Sequence, residues 1–240
     1  MQQRRLGRTG LKVSELCLGT MTFGYQCDEP TSFAILTKAA EGGITFIDTA
    51  DVYPVPPAPE TAGRTEVIVG KWLRGQRDNY VLASKCRNRV GHGPNDEGLS
   101  RRHVLQAAED CLRRLQTDYL DLFYLHAPDP DTQLEETLWA LDDLVRSGKV
   151  RYLACSNYPA WQVALGLGIS QARGWARFDA VQPRYNLLYR EMESELMPLC
   201  VDQGLGLVPY NPLAGGMLTG RYQSLAEPEP MTRFSIGKTG

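Results

Sequence analysis

The chain has 240 residues, and its 26 Lys plus Arg against 28 Asp plus Glu leave a formal charge of −2 with histidine neutral. That balance lacks the basic excess a polyanion partner requires, so no nucleic-acid ligand is expected. Hydrophobic residues make up 42% and charged residues 22%, ordinary globular usage that excludes a disordered, collagenous or small disulfide-built chain.

No apolar run approaches the ~18 residues of a membrane span, and Met1-Gln2-Gln3-Arg4-Arg5-Leu6-Gly7 lacks the apolar stretch of a secretion signal. A cytoplasmic protein without a membrane partner is the expectation. The six cysteines, at 17, 27, 86, 111, 155 and 200, show no C-x-x-C pair and no histidine at ligand spacing. They read as reduced, mostly buried thiols, and no metal site is expected.

In chain order, Arg4 to Val13 around Thr9-Gly10 reads as a hairpin that plugs the amino-terminal mouth of the domain. Seven short apolar runs then alternate with longer amphipathic segments, the pattern of parallel strands joined by helices. They are Leu16–Gly19, Ile44–Asp48, Tyr80–Lys85, Tyr119–His126, Val150–Ala154, Phe178–Gln182 and Gly206–Tyr210. Ser100 reads as the N-cap of a helix whose buried stripe is Val104, Ala108, Cys111 and Leu115. Thr132-Gln133-Leu134-Glu135 reads as a capping box, with Leu134, Leu138, Leu141 and Val145 on one face and Ser147-Gly148-Lys149 as the stop. His103 is assigned to an exposed helix face, and His92 to a Gly-rich loop.

Almost every predicted strand ends in a polar residue: Asp48, Lys85, His126, Ser156-Asn157, Gln182 and Tyr210. That favours a (β/α)₈ TIM barrel, where chemistry gathers at many strand ends, over a doubly wound sheet with one glycine-rich switch point. One barrel domain over 1–240 is expected. Nothing from Leu213 to Gly240 reads as an eighth strand and helix, so the barrel is expected to be incomplete at its carboxyl end.

Asp48, Tyr53, Lys85 and His126 follow three successive strands into one mouth. Each alone has a structural reading as a cap, a packed ring or a strand-end charge. Jointly they form a proton-delivery device: a Tyr hydroxyl with a pKa near 10 needs a cation beside it. Lys85 can be that cation, Asp48 can pair with Lys85, and a neutral His126 can hold a carbonyl oxygen.

Gly19-Thr20-Met21, Asp48-Thr49-Ala50-Asp51-Val52-Tyr53, Lys85, Leu125-His126, Cys155-Ser156-Asn157, Gln182-Pro183-Arg184-Tyr185-Asn186 and Pro209 through Gly216 together resemble the signature of the aldo-keto reductase superfamily. The Tyr53–Thr61 segment is similar to its Tas-like, potassium-channel-β-like branch. The resemblance implies a (β/α)₈ barrel that binds NADP(H), less often NAD(H), and reduces an aldehyde or ketone, a small-molecule carbonyl partner. It implies Tyr53 as general acid, assisted by Lys85 and Asp48, with His126 orienting the carbonyl. Ser156, Asn157 and Gln182 would bond the nicotinamide carboxamide, and Tyr210 would stack beneath the ring. Asn211, Pro212, Leu213 and Gly215 would line the pyrophosphate with Arg221 nearby, and Gly19, Thr20 and Met21 would border the cofactor. Phe23 and Tyr25 are expected to add aromatic surface for the substrate, and Ser224 to Gly240 to begin a loop crossing the cofactor. Two further readings stay open: a nucleotide-binding, redox-sensing regulatory subunit with little turnover, and an aldolase using Lys85 as a Schiff-base amine.

Overall fold

The computed structural model describes residues 1–222 together with Thr232 and Ser235. The proposed cofactor-crossing loop at 224–240 falls otherwise outside those residues. Among the described residues, seven strands lie side by side in chain order, all parallel. They are β3 (Cys17–Gly19), β4 (Phe46–Asp48), β5 (Val81–Cys86), β6 (Leu120–Leu125), β7 (Val150–Ser156), β8 (Phe178–Gln182) and β9 (Gly206–Leu207). The fold is α/β, a curled sheet of the TIM-barrel class with β3 and β9 at its two edges.

The helices are α1 (Glu29–Glu41), α2 (Arg64–Leu73), α3 (Arg101–Leu115), α4 (Leu134–Arg146), α5 (Ala160–Arg173) and α6 (Leu196–Gln203). Strand side chains alternate between two apolar layers, because successive residues point to opposite faces of a sheet. Leu82, Phe123, Leu125, Leu153 and Val181 face outward and pack with Val104, Ala108, Cys111, Leu138 and Leu141 of the helices. Phe46, Ala83, Leu122, Tyr124, Ala154 and Ala180 face inward, large residues interleaved with alanines.

The inner layer is closed from below by the amino-terminal hairpin, β1 (Gln3–Arg5) against β2 (Lys12–Ser14), which contributes buried Leu6 and Val13. Gly7 takes φ +57 in its turn, where a Cβ would sit 2.5 Å from the carbonyl oxygen of Gly204. Only glycine allows that approach, and Arg8 N–H donates to the same carbonyl at 2.8 Å.

Two local expectations need correction. Ser100 does cap α3, its Oγ accepting from His103 N–H at 3.3 Å, but the capping box before α4 does not form. Gln133 is the N-cap there and makes no side-chain cap bond. Thr132 Oγ1 instead donates to Asp129 Oδ2 at 2.7 Å, and Glu135 pairs with Arg173. Asp129 also accepts from the Leu99 and Asp131 amides, so it organises this loop and draws the threonine away. His103 is likewise not exposed: it is 4% accessible, with Nδ1 3.0 Å from the Asn95 carbonyl. A loop carbonyl reaching over the helix covers a position that the helical pattern alone leaves to solvent.

Candidate active site

Stepping two residues along the inner face of each strand leads from an apolar side chain to a polar one at the carboxyl end. Phe46 gives way to Asp48, Ala83 to Lys85, Ala154 to Ser156 and Ala180 to Gln182, while Val208 gives way to Tyr210 just beyond β9. These polar ends, apart from the fully buried Lys85, surround a cavity of about 580 Å³, which Cys17, Gly19, Thr20, Met21, Tyr53 and His126 also line. Asp48 is fixed through its backbone, since Thr20 N–H and Oγ1–H both donate to the Asp48 carbonyl, at 3.0 and 2.9 Å.

Lys85 has no accessible surface. Its ammonium donates to Asp48 Oδ1, at a short distance, and to the Thr49 carbonyl at 2.8 Å. Asp48 Oδ2 accepts from Gln182 Nε2 at 3.0 Å, so the carboxylate ties opposite sides of the mouth together. Burial opposes the charge on Lys85, yet the Asp48 carboxylate and the Tyr53 phenol beside it hold its pKa above the ordinary lysine value. The ammonium lies 5.1 Å from the centre of the Tyr53 ring, and that ring meets His126 edge-on with centroids 5.7 Å apart. Thus Asp48, Tyr53, Lys85 and His126 do meet at one mouth.

Burial, and then the positive charges of Lys85 and Arg87, push the His126 pKa down to about 3. An unfolded chain protonates this histidine below about 6.5, whereas the folded one does not until about 3. Unfolding therefore takes up a proton between those values, and stability falls as pH drops through that window, by up to about 1.4 kcal/mol per pH unit. Urea midpoints between pH 7 and 4.5 should show this slope and should flatten in His126→Asn; an unchanged slope in the variant would contradict a neutral His126.

The opposite wall carries the residues expected to hold a nucleotide. Ser156 Oγ donates to the Gln182 carbonyl at 2.7 Å. Asn157 Nδ2 donates to the His126 carbonyl at 2.9 Å, while its Oδ1 accepts from the Tyr210 hydroxyl at 2.9 Å. Asn157 thus holds the Tyr210 ring against the cavity. After Tyr210 the chain runs through Asn211, Pro212, Leu213 and Gly215, all lining the cavity. Asn211 Oδ1 accepts from Gly215 N–H at 2.6 Å, whereas Asn211 Nδ2 is buried without a partner among the described residues. At Gly19 an added Cβ would meet nothing within 4 Å, so the backbone there borders open space.

Three expected residues are placed elsewhere. Phe23 is 2% accessible and packed in the outer core, Tyr25 is 47% accessible, and neither lines the cavity. Arg221 is exposed and also off the cavity, its backbone N–H donating to Thr219 Oγ1. The proline-rich segment after Tyr53 supplies part of the wall, through Val55 and Pro57, and Val55 N–H donates to the Met21 carbonyl at 2.9 Å. In the loop after β5, Arg89 pairs with Glu97 and His92 lies 3.5 Å from Glu60, neither lining the cavity. Sequence reasoning passed over Asn88 in that loop, although it lines the cavity with its amide nitrogen 3.1 Å from His126 Nδ1. Its signal was position: a polar side chain three residues past Lys85, at a strand's carboxyl end.

Comparison with known proteins agrees with this geometry. Residues 15–235 match the model of the aldo/keto reductase family. The chain is 42% identical over 228 residues to the uncharacterized oxidoreductase YrpG of Bacillus subtilis, covering 92% of this chain and 69% of that one. It is 39% identical over 252 residues to protein tas of Escherichia coli, covering 95% and 72%. It is 38% identical over 226 residues to a probable voltage-gated potassium channel subunit beta of rice, covering 92% and 67%. With a parallel barrel-type sheet, a polar carboxyl-terminal mouth and a family match over most of its length, the chain belongs to the aldo/keto reductases.

Proposed function

We propose that the protein is a cytoplasmic NADP(H)-dependent oxidoreductase that reduces an aldehyde or ketone to the alcohol, NAD(H) being the alternative nucleotide. One observation carries this reading: Tyr53, His126 and Asp48, which holds the buried Lys85 ammonium behind it, line one cavity with Tyr210 and the Asn211–Gly215 turn. The buried Asn211 amide, a donor without a partner among the described residues, and the open backbone at Gly19 fit an anionic dinucleotide along that wall. When bound, the reduced nicotinamide supplies hydride.

The chain's own residues do the rest. Tyr210, braced by Asn157, would present an aromatic face to the nicotinamide, and Ser156, Asn157 and Gln182 would bond its carboxamide. Asn211, Pro212, Leu213 and Gly215 would follow the pyrophosphate. Tyr53 would donate its hydroxyl proton to the carbonyl oxygen as negative charge develops there, and the Lys85 ammonium would stabilise the phenolate left behind. A Schiff-base role for Lys85 is disfavoured, because Asp48 and the Thr49 carbonyl keep the amine protonated. Val52, Val55 and Pro57 give the substrate side an apolar wall.

The test is titration with NADPH and NADH followed by turnover on a panel of aldehydes and ketones. Saturable NADPH binding with multiple turnovers is expected. The rice relative's name suggests a regulatory subunit instead, and slow single-turnover oxidation of bound nucleotide without multiple turnover would favour that reading.

A further inference from the structure

We propose that Asn88 is a positioning residue that fixes His126 as the tautomer protonated on Nε2, so that His126 serves only as a hydrogen-bond donor to the substrate carbonyl. This rests on the carbonyl-reduction reading above and deepens it. An amide NH₂ can donate but cannot accept, and it lies 3.1 Å from His126 Nδ1. Nδ1 must therefore offer its lone pair, and the single proton of the neutral ring sits on Nε2. Neutrality follows from the surroundings: burial, and then the positive charges of Lys85 on β5 and Arg87 just after it, oppose protonation, and Tyr53 meets the ring edge-on. The Asn157 amide holds the His126 backbone from the other side. Ring, tautomer and charge are thus each set by a different neighbour.

The lock divides labour at the mouth. With no proton on Nδ1 and none easily added, His126 cannot compete with Tyr53 as acid; it can only hold the oxygen. His103 supplies an internal contrast, since its Nδ1 lies 3.0 Å from the Asn95 carbonyl, an acceptor, which requires the proton on Nδ1. The same molecule should hold these two histidines in opposite tautomers.

Nitrogen-15 NMR of the imidazoles at pH 7.5 decides this, with His126 assigned by loss of its signals in His126→Asn. A pyridine-type Nδ1 and a pyrrole-type Nε2 at His126, with the reverse at His103, are expected. A pyrrole-type Nδ1 at His126 would overturn the proposal whatever the enzyme's activity.

Kinetics supply the second arm. In Asn88→Asp the carboxylate accepts from Nδ1–H, which turns Nε2 into an acceptor and raises the His126 pKa. Turnover at pH 8 should fall by about 10²-fold, the scale of losing one donor at the developing oxyanion. It should recover as pH falls, because the imidazolium carries N–H at both nitrogens, and nucleotide affinity should be unchanged. Asn88→Leu merely removes the lock and should lose far less than Asn88→Asp. Equal, pH-independent losses in both variants would reduce Asn88 to a structural part and sink the proposal. If wild-type protein turned over no carbonyl yet showed the Nε2–H tautomer, the lock would stand and the reductase reading would fall.

Discussion

Tyr53→Phe should lose about 10²–10⁴-fold in turnover, the range of general-acid help, while binding nucleotide within about twofold of wild type. The loss corresponds to about 3–5 kcal/mol of transition-state stabilisation. It falls on chemistry alone because the substitution keeps the ring that meets His126 edge-on and sits 5.1 Å from the Lys85 ammonium. Cavity shape is preserved, and the nucleotide wall lies on the strands beyond His126. A phenol with an ordinary pKa near 10 is a slow donor at neutral pH. Here the cation beside it is buried and held charged and aligned by Asp48 and the Thr49 carbonyl, so it would stabilise a phenolate without reorganisation. Steady-state turnover on the best substrate of the panel, with a nucleotide fluorescence titration, makes the comparison. Turnover within a factor of a few of wild type would remove Tyr53 from the role of acid.

The strands were legible because two signals coincide in most of them: a short apolar run, and a polar residue closing it two positions past an inward-facing small or aromatic side chain. Ala83 followed by Lys85, and Ala180 followed by Gln182, carry the barrel's inner face and its reactive rim in three letters each. Helix α3 was legible for a similar reason, its N-cap and buried stripe being purely local. What escaped depends on groups distant in sequence. Asp129 outcompetes the capping box at Thr132, and although its bonds to Thr132 and Asp131 are local, the Leu99 amide that also anchors its carboxylate comes from a distant part of the chain. Phe23 resembles a pocket aromatic by proximity to Gly19, yet the chain turns there and Thr65 Oγ1 fixes the Phe23 carbonyl at 2.8 Å, sending the ring into the outer core. Asn88 is the instructive omission at the site. Its partner, His126, lies one strand away, and only the parallel pairing of β5 with β6 brings the two ends together.

Burial beside a single carboxylate sets the cost of disturbing the Lys85 charge. Asp48→Leu should destabilise the fold by about 3–5 kcal/mol at pH 7, the scale for stripping one partner from a buried ion pair. Lys85 is wholly buried, so without Asp48 its ammonium keeps, among the described residues, the Thr49 carbonyl and the faces of the Tyr53 and Tyr124 rings but no counter-charge in contact, and Gln182 loses its acceptor as well. The signature is a rise in stability between pH 7 and 9.5 that the Lys85 charge does not produce in the wild type. In the wild type the folded-state pKa of Lys85 lies above its unfolded value, so its contribution is full below the unfolded pKa and is lost as pH rises through the folded one. In Asp48→Leu, burial unopposed by the carboxylate should depress that pKa below the unfolded value of about 10.4, and stability should rise as pH climbs towards it. Lys85→Met added to Asp48→Leu removes the stranded charge and should recover most of the loss, because an apolar pair of similar volume replaces a buried ion pair nearly neutrally. Turnover should stay lost in both, which separates the pair's structural part from its chemical one. Urea midpoints at pH 7 and 9.5 for the three proteins test the scheme. A single-variant loss below about 1 kcal/mol, or a double variant no more stable than the single, would show that the buried ammonium does not depend on Asp48.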